Sequence, residues 1–123
     1  MTAHSPEELH STYGERLATG DLDGLVGLYE ADATFGAPTH RLRGIEAIRA
    51  NLAAMIASDP TLTVRNSRIV EVGDLALMAG DWHYTATTIT GEHVERTGTS
   101  VEVARRQADG TWRYVIDEPA FLR

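Results

Sequence analysis

The sequence predicts an α+β domain: three amphipathic helices from the first half of the chain, packed on a curved antiparallel β-sheet from the second. Two observations carry this. Apolar residues recur at helical spacing up to about residue 58 and alternate roughly one in two beyond it. Close to the end, Asp109-Gly110 tolerates the positive φ of a tight primed turn and marks a hairpin. A total of 123 residues suits one domain, 1–123, large enough to bury a core without staples.

Ser5 opens the first helix. Pro6 suits the first helical position, and Glu8 three residues after Ser5 completes a capping box. Leu9, Tyr13 and Leu17 form its apolar face, and Gly20 can stop it in a left-handed conformation. Asp21 caps a second helix with Leu22, Leu25, Val26 and Tyr29 inward. "ATFGAP" reads as a short strand broken at Pro38, and "THRLRG" as loop. A third helix spans about Gly44 to Ser58, with Ile45, Ile48, Leu52, Met55 and Ile56 as its stripe; "SDP" ends it. "LTVRNSRIVEV", "LALMAGDWHYTATT", "HVERTGTSVEVARRQ" and "TWRYVID" then read as four strands in a meander. Such a sheet, wrapped over helices, would leave a hollow between the layers.

Composition excludes several classes. The formal net charge of −7 argues against a nucleic-acid partner, which needs a concentrated positive field. Without cysteine there are no disulfides and no thiolate metal sites, and a reducing compartment fits. The N-terminus has acids early and no apolar core, unlike a signal peptide. No apolar run approaches the roughly 20 residues of a membrane span. A cytoplasmic protein without membrane contact is the expectation. The five histidines show no ligand spacing and no Gly-rich phosphate loop is present, so neither metal nor cofactor is expected.

Four segments together resemble one known superfamily: "YGERLATGDLDGLVGLYEADATF", "RGIEAIRANL", "DLALMAGDWHYT" and "SVEVARRQADGTWRYVID". They are similar to NTF2-like proteins, nearest to the SnoaL-like and DUF4440 branch, with ketosteroid isomerases, polyketide cyclases and limonene epoxide hydrolases as more distant relatives. The resemblance implies a cystatin-like cone with a pocket at its open end, and a homodimer through the outer sheet face. It also implies residue roles. Tyr13 matches the isomerases' first-helix tyrosine, seven residues before the glycine of "GDLDG", which donates a hydrogen bond to a substrate oxygen. Glu102 matches their second acid donor, counting back from Gly110. Their general base, an aspartate just before a proline, falls at Ala37, which cannot move a proton.

Other candidates come from the later strands. Alternation separates Glu102 from Val101 and Val103, so Glu102 looks either into the cone or towards a cross-strand arginine. Asp117 precedes Glu118-Pro119 and is placed on one face with Val115 and Arg113; it resembles a late-strand acid of cyclases and epoxide hydrolases, or else caps a turn. "GDWHYT" puts Asp81 and His83 on one face, as a base with its orienting partner or as a solvated pair, and Trp82 and Tyr84 on the other. Candidate catalytic groups are therefore Asp117, Glu102, Tyr13, His83 and Asp81; candidate ligand contacts are Trp82, Tyr84, Phe35, His40 and Met55. Two functions follow. One is cofactor-free isomerisation, cyclisation, dehydration or epoxide opening of a small lipophilic or polyketide-like molecule. The other is a non-catalytic pocket or an accessory dimer.

Overall fold

The computed structural model describes residues 3–37 and 39–122. Nine elements follow in order: α1 (Pro6–Thr19), α2 (Leu22–Val26), β1 (Tyr29–Gly36), β2 (Arg41–Arg43), α3 (Ile45–Ile56), β3 (Thr61–Val72), β4 (Leu75–Thr87), β5 (His93–Arg106) and β6 (Trp112–Leu122). They form one six-stranded sheet in the order β2-β1-β6-β5-β4-β3 with the helices on one face.

Three of the local signals act where the sequence places them, and the Ser5–Glu8 capping box does not form. Gly20 ends α1 at φ 73°, with its N–H on the Leu17 carbonyl and that of Asp21 on the Arg16 carbonyl, a Schellman closure. The Asp21 carboxylate accepts the Gly24 N–H at 2.9 Å and starts α2. Gly110 takes φ 84° in the β5–β6 turn. The Ser5 side chain makes no cap hydrogen bond; Glu8 instead accepts the His4 N–H at 2.9 Å.

Three expectations need correction. The sheet is mixed, because β1 runs parallel to β6. Tyr29 does not sit on the second helix but begins β1, and α2 is a five-residue turn of helix that leaves Leu25 and Leu28 to fill the core. "THRLRG" is not all loop, since Arg41–Arg43 adds an edge strand to β1.

Bulges curve the sheet. One at Asn66/Arg68 of β3 returns Ile69 to the helix side after Asn66. A second, at Val115 of β6, places Tyr114 opposite Ala104 and Asp117 opposite Glu102, so both face inward. That overturns the placement of Asp117 beside Val115 and Arg113. Leu9, Leu17, Leu25, Leu28, Ile48, Leu52 and Met78 form the buried apolar body, each fully enclosed side chain contributing about 1.5–3 kcal/mol.

Candidate functional site

The helix period of α1 projects Leu9, His10, Tyr13 and Leu17 towards the sheet. Opposite them, β5 turns Ser100, Glu102 and Ala104 inward, and β6 turns Tyr114 and Asp117 inward. β1 contributes Tyr29 and Phe35, the latter in register with Asp117 across the parallel pair. Two carboxylates, one imidazole and three phenols thus meet inside an otherwise apolar core.

Each polar group has a specific neighbour. Tyr29 donates its hydroxyl hydrogen to Asp117 Oδ2 at 2.6 Å, and the Tyr13 and Tyr29 hydroxyls lie 3.3 Å apart. With the Tyr29 proton directed at Asp117, Tyr13 is the donor to Tyr29. His10 Nε2 approaches Glu102 Oε1 to 3.0 Å, an ion-pair contact rather than an aligned hydrogen bond. His10 Nδ1 lies 2.5 Å from Asn66 Oδ1. The Asn66 amide nitrogen donates to the Glu7 carbonyl at 3.2 Å, which fixes Oδ1 as the atom facing the imidazole. Aromatic rings close the remaining space: Tyr29 and Tyr114 have centroids 5.4 Å apart, and Tyr13 meets both edge-on.

Burial sets the charge states. Glu102 and Asp117 are only 4 % and 6 % exposed. Loss of solvent, and then the Glu102 charge across the strand, push the Asp117 carboxyl up to about 7; the Tyr29 hydrogen bond and His10 oppose this less strongly. His10 loses basicity to burial but regains more from Glu102, Asn66 and Asp117, so it ends above its ordinary value. The Tyr13, Tyr29 and Tyr114 hydroxyls are raised, chiefly by burial, and stay protonated. At neutral pH the cluster therefore holds phenol donors, an imidazole of raised basicity and a carboxyl near half-protonation.

Asp117, Glu102 and Tyr13 are brought together; Asp81 and His83 are elsewhere and do not pair with each other. Both point to the opposite face of β4. Asp81 pairs with Arg65 at 2.7 Å and accepts from Thr99 at 3.0 Å, while His83 lies 2.5 Å from Glu95. Neighbouring strands offered closer partners than the next inward or outward position along β4. Among the expected ligand contacts, Phe35 is buried edge-on to Tyr29, and Tyr84 and Met55 pack half-buried against the core. Trp82 is half-buried and donates its indole N–H to the Pro119 carbonyl at 2.6 Å, its ring lying over Gly98. His40 is exposed and bonded to Thr39 at 3.0 Å. A hollow of about 560 Å³ runs over β3, β4 and β5 beside Arg65, Asp81 and His83, and does not include the buried cluster. The expected hollow between the layers is largely occupied by the rings of Tyr13, Tyr29 and Tyr114.

His10 and Asn66 were not singled out by sequence, and Tyr29 only as an inward residue of the second helix. His10 stands three residues before Tyr13 and seven before Leu17, on the same helical face, and that spacing is the signal that could have found it. Among the described residues no group of His, Asp and Glu is arranged to hold a metal ion. Among the described residues no helix is long and apolar enough to cross a membrane.

The model of the SnoaL-like domain matches residues 11–115, which includes every inward residue named above except Leu9, His10 and Asp117. The chain belongs to the SnoaL-like family. Its fold is that of the NTF2-like superfamily. An NTF2-like superfamily protein from Salmonella enterica is 23 % identical with a TM-score of 0.82, over 91 % of this chain and 84 % of that one. An NTF2-like protein with a cystatin-like fold from Novosphingobium aromaticivorans is 23 % identical at TM-score 0.76, over 94 % and 79 %. A ketosteroid isomerase-like protein from Erwinia carotovora atroseptica is 15 % identical at TM-score 0.79, over 91 % and 89 %. At these identities the SnoaL-like domain shares the fold with them and nothing narrower. A comparison with curated proteins found no match.

Proposed function

We propose that this SnoaL-like protein performs cofactor-free acid–base chemistry on a small, apolar, oxygen-bearing molecule, with Asp117 as the group that gives and takes the proton. The observation that carries this is the Asp117 carboxyl: buried, hydrogen-bonded by Tyr29 and poised near 7. A group with that affinity exchanges protons efficiently in both directions near neutrality. Ala37 removes a base from the end of β1, but the parallel pairing sets Asp117 beside Phe35, two residues away, so β6 supplies a carboxylate to the same region.

Tyr13 is 7 % exposed and Phe35 and Asp117 6 % each, the most accessible members of a cluster otherwise at 4 % or less. In the proposed step Tyr13 turns its one hydroxyl hydrogen from Tyr29 to a substrate carbonyl or epoxide oxygen. Asp117, ionised, removes a proton from the adjacent carbon; protonated, it returns one to a second position, so the substrate ends as an isomer and the site unchanged. Phenols kept protonated by burial suit the oxygen-stabilising role.

The test is proton exchange. Small ketones, epoxides and polyketide mimics in deuterated buffer are followed by NMR for label uptake at carbon. Wild type is expected to exchange at least one of them about 10²–10⁴-fold faster than Asp117→Asn. Binding to both proteins, with equal exchange, would establish the second reading, a non-catalytic pocket. The close filling of the interior by aromatic rings is the observation that favours it.

The outer sheet face supports a homodimer. Val70, Leu77, Val103 and Ile116 stand in register across four strands, with Val72 and Leu75 beside them; Leu77 is 53 % and Val72 73 % exposed. An apolar strip of this kind is a self-association surface. Leu77→Lys is expected to convert a dimer to a monomer in light scattering, and a wild-type monomer would contradict it.

A further inference from the structure

Four elements converge on one imidazole that the proposed chemistry does not use. His10 comes from α1, Asn66 from β3, Gly80 from β4 and Glu102 from β5. Gly80 leaves a seat: a methyl group there would come within 3.1 Å of His10 Cε1 and 2.8 Å of Val64 Cγ1. Tyr114 covers the ring from β6, with centroids 6.1 Å apart and planes 26° off parallel. Both ring nitrogens face acceptors, Asn66 Oδ1 on one side and Glu102 Oε1 on the other. Against an ionised Glu102, a ring so placed carries a proton on each nitrogen and is an imidazolium.

Resting on the reading of Asp117 as the proton-exchanging group, we propose that His10 is a positioning residue that decides which of two facing carboxyls carries the proton. Its charge, 3.0 Å from Glu102 Oε1, draws the negative charge of the facing pair to that side and leaves the proton on Asp117. The two carboxyls lie directly opposite on neighbouring strands, where like charges repel. Each has its own partner. Glu102 Oε1 has none beyond His10 among the described residues, whereas Asp117 accepts from Tyr29. Without the imidazolium, Asp117 keeps a hydrogen-bond donor in Tyr29 while Glu102 Oε1 has none among the described residues, so the negative charge of the facing pair settles on Asp117. His10 also acts on Asp117 directly, in the opposite sense, since a positive charge favours the aspartate anion. The groups facing this unit are Tyr13 from α1, Tyr29 from β1, and Tyr114 and Glu118 from β6. The three phenols stay neutral, and Glu118 is engaged by Arg41.

The sign of one shift separates the two routes. Carboxyl ¹³C NMR follows the Asp117 midpoint in the full chain, in wild type and in His10→Leu, which fills the seat without charge. Action through Glu102 lowers the midpoint by about 1–3 pH units. A midpoint that rises or stays would overturn the proposal. Should His10→Leu not fold, Glu102→Gln decides through imidazole ¹⁵N shifts. His10 then titrates below its wild-type midpoint, because Glu102, its largest opposition to burial, is gone while Asn66 remains; an unchanged His10 midpoint overturns the proposal. A wild-type Asp117 midpoint in the ordinary carboxylate range sinks the acid–base reading and this inference together. A wild-type midpoint near 7 that ignores His10→Leu sinks this inference alone.

Discussion

The two faces of strands β4 to β6 carry the same kinds of side chain and use them in opposite ways. On the outer face, His83 with Glu95 and Arg65 with Asp81 are exposed pairs in water; the hydrogen bond from His83 holds Glu95 below its ordinary carboxylate value. On the inner face, His10 with Glu102 and Tyr29 with Asp117 are sealed under helix α1, and Asp117 moves the other way, towards neutrality. A histidine beside a carboxylate occurs on both faces, so residue type does not separate them. Solvent does: in water a pair is screened and weakly coupled, whereas in the core each charge feels every other.

The contrast can be broken most forcefully at Glu102. Glu102→Ala leaves the His10 charge buried and unpaired, and urea unfolding should report a loss of about 3–5 kcal/mol. A loss below 1 kcal/mol would mean that His10 is neutral or reaches water.

Asp117 gives the next effect, with a sign fixed by its raised value. Folding favours the protonated acid, so its contribution is fully present below the unfolded value of 3.8 and is lost as pH rises towards about 7. His10, also raised, shifts stability in the same direction, with loss beginning around its ordinary value of 6.5. Wild type should therefore be more stable in mild acid than above pH 8. Asp117→Asn, an isostere of the neutral acid, should be the more stable protein above pH 8 by roughly 2–4 kcal/mol and lose that advantage near pH 4. Equal curves for both proteins would show that Asp117 is not held protonated by the fold.

Gly80→Ala sharpens the comparison at one ring. The added methyl crowds His10 and Val64, with an expected cost of about 1–3 kcal/mol and a displaced imidazole signal in NMR. The smallest effect belongs to the outer face. Asp81→Asn should change stability by no more than about 1 kcal/mol and leave the Asp117 midpoint where it was; a moved midpoint would mean that the two faces communicate.

Much of the fold was legible because its signals are local. The stripe Leu9, Tyr13, Leu17, the stop at Gly20, the cap at Asp21 and the turn at Asp109-Gly110 each act within a few residues of themselves. The parallel pairing of β1 with β6 was not legible, since it joins residues more than eighty apart and nothing near Tyr29 announces it. At the candidate site, alternation separated Glu102 from its valine neighbours, and the resemblance pointed to Tyr13. The face of Asp117 was misplaced because the bulge at Val115 inserts one residue and turns the strand over. Pairing Asp81 with His83 failed for a related reason: cross-strand neighbours compete with positions two apart on one strand, and their identities depend on register. His10 carried the right spacing but the wrong residue type for an apolar stripe, and only the fold shows the carboxylate and amide that make its burial tolerable.

The most direct measurement is the infrared signature of a protonated carboxyl, compared between wild type and Asp117→Asn across neutral pH. The buried acid should give wild type a carboxylic C=O band at about pH 6 that fades as pH passes through about 7 and is missing in the variant. Identical spectra, with every carboxyl ionised at about pH 6, would contradict it.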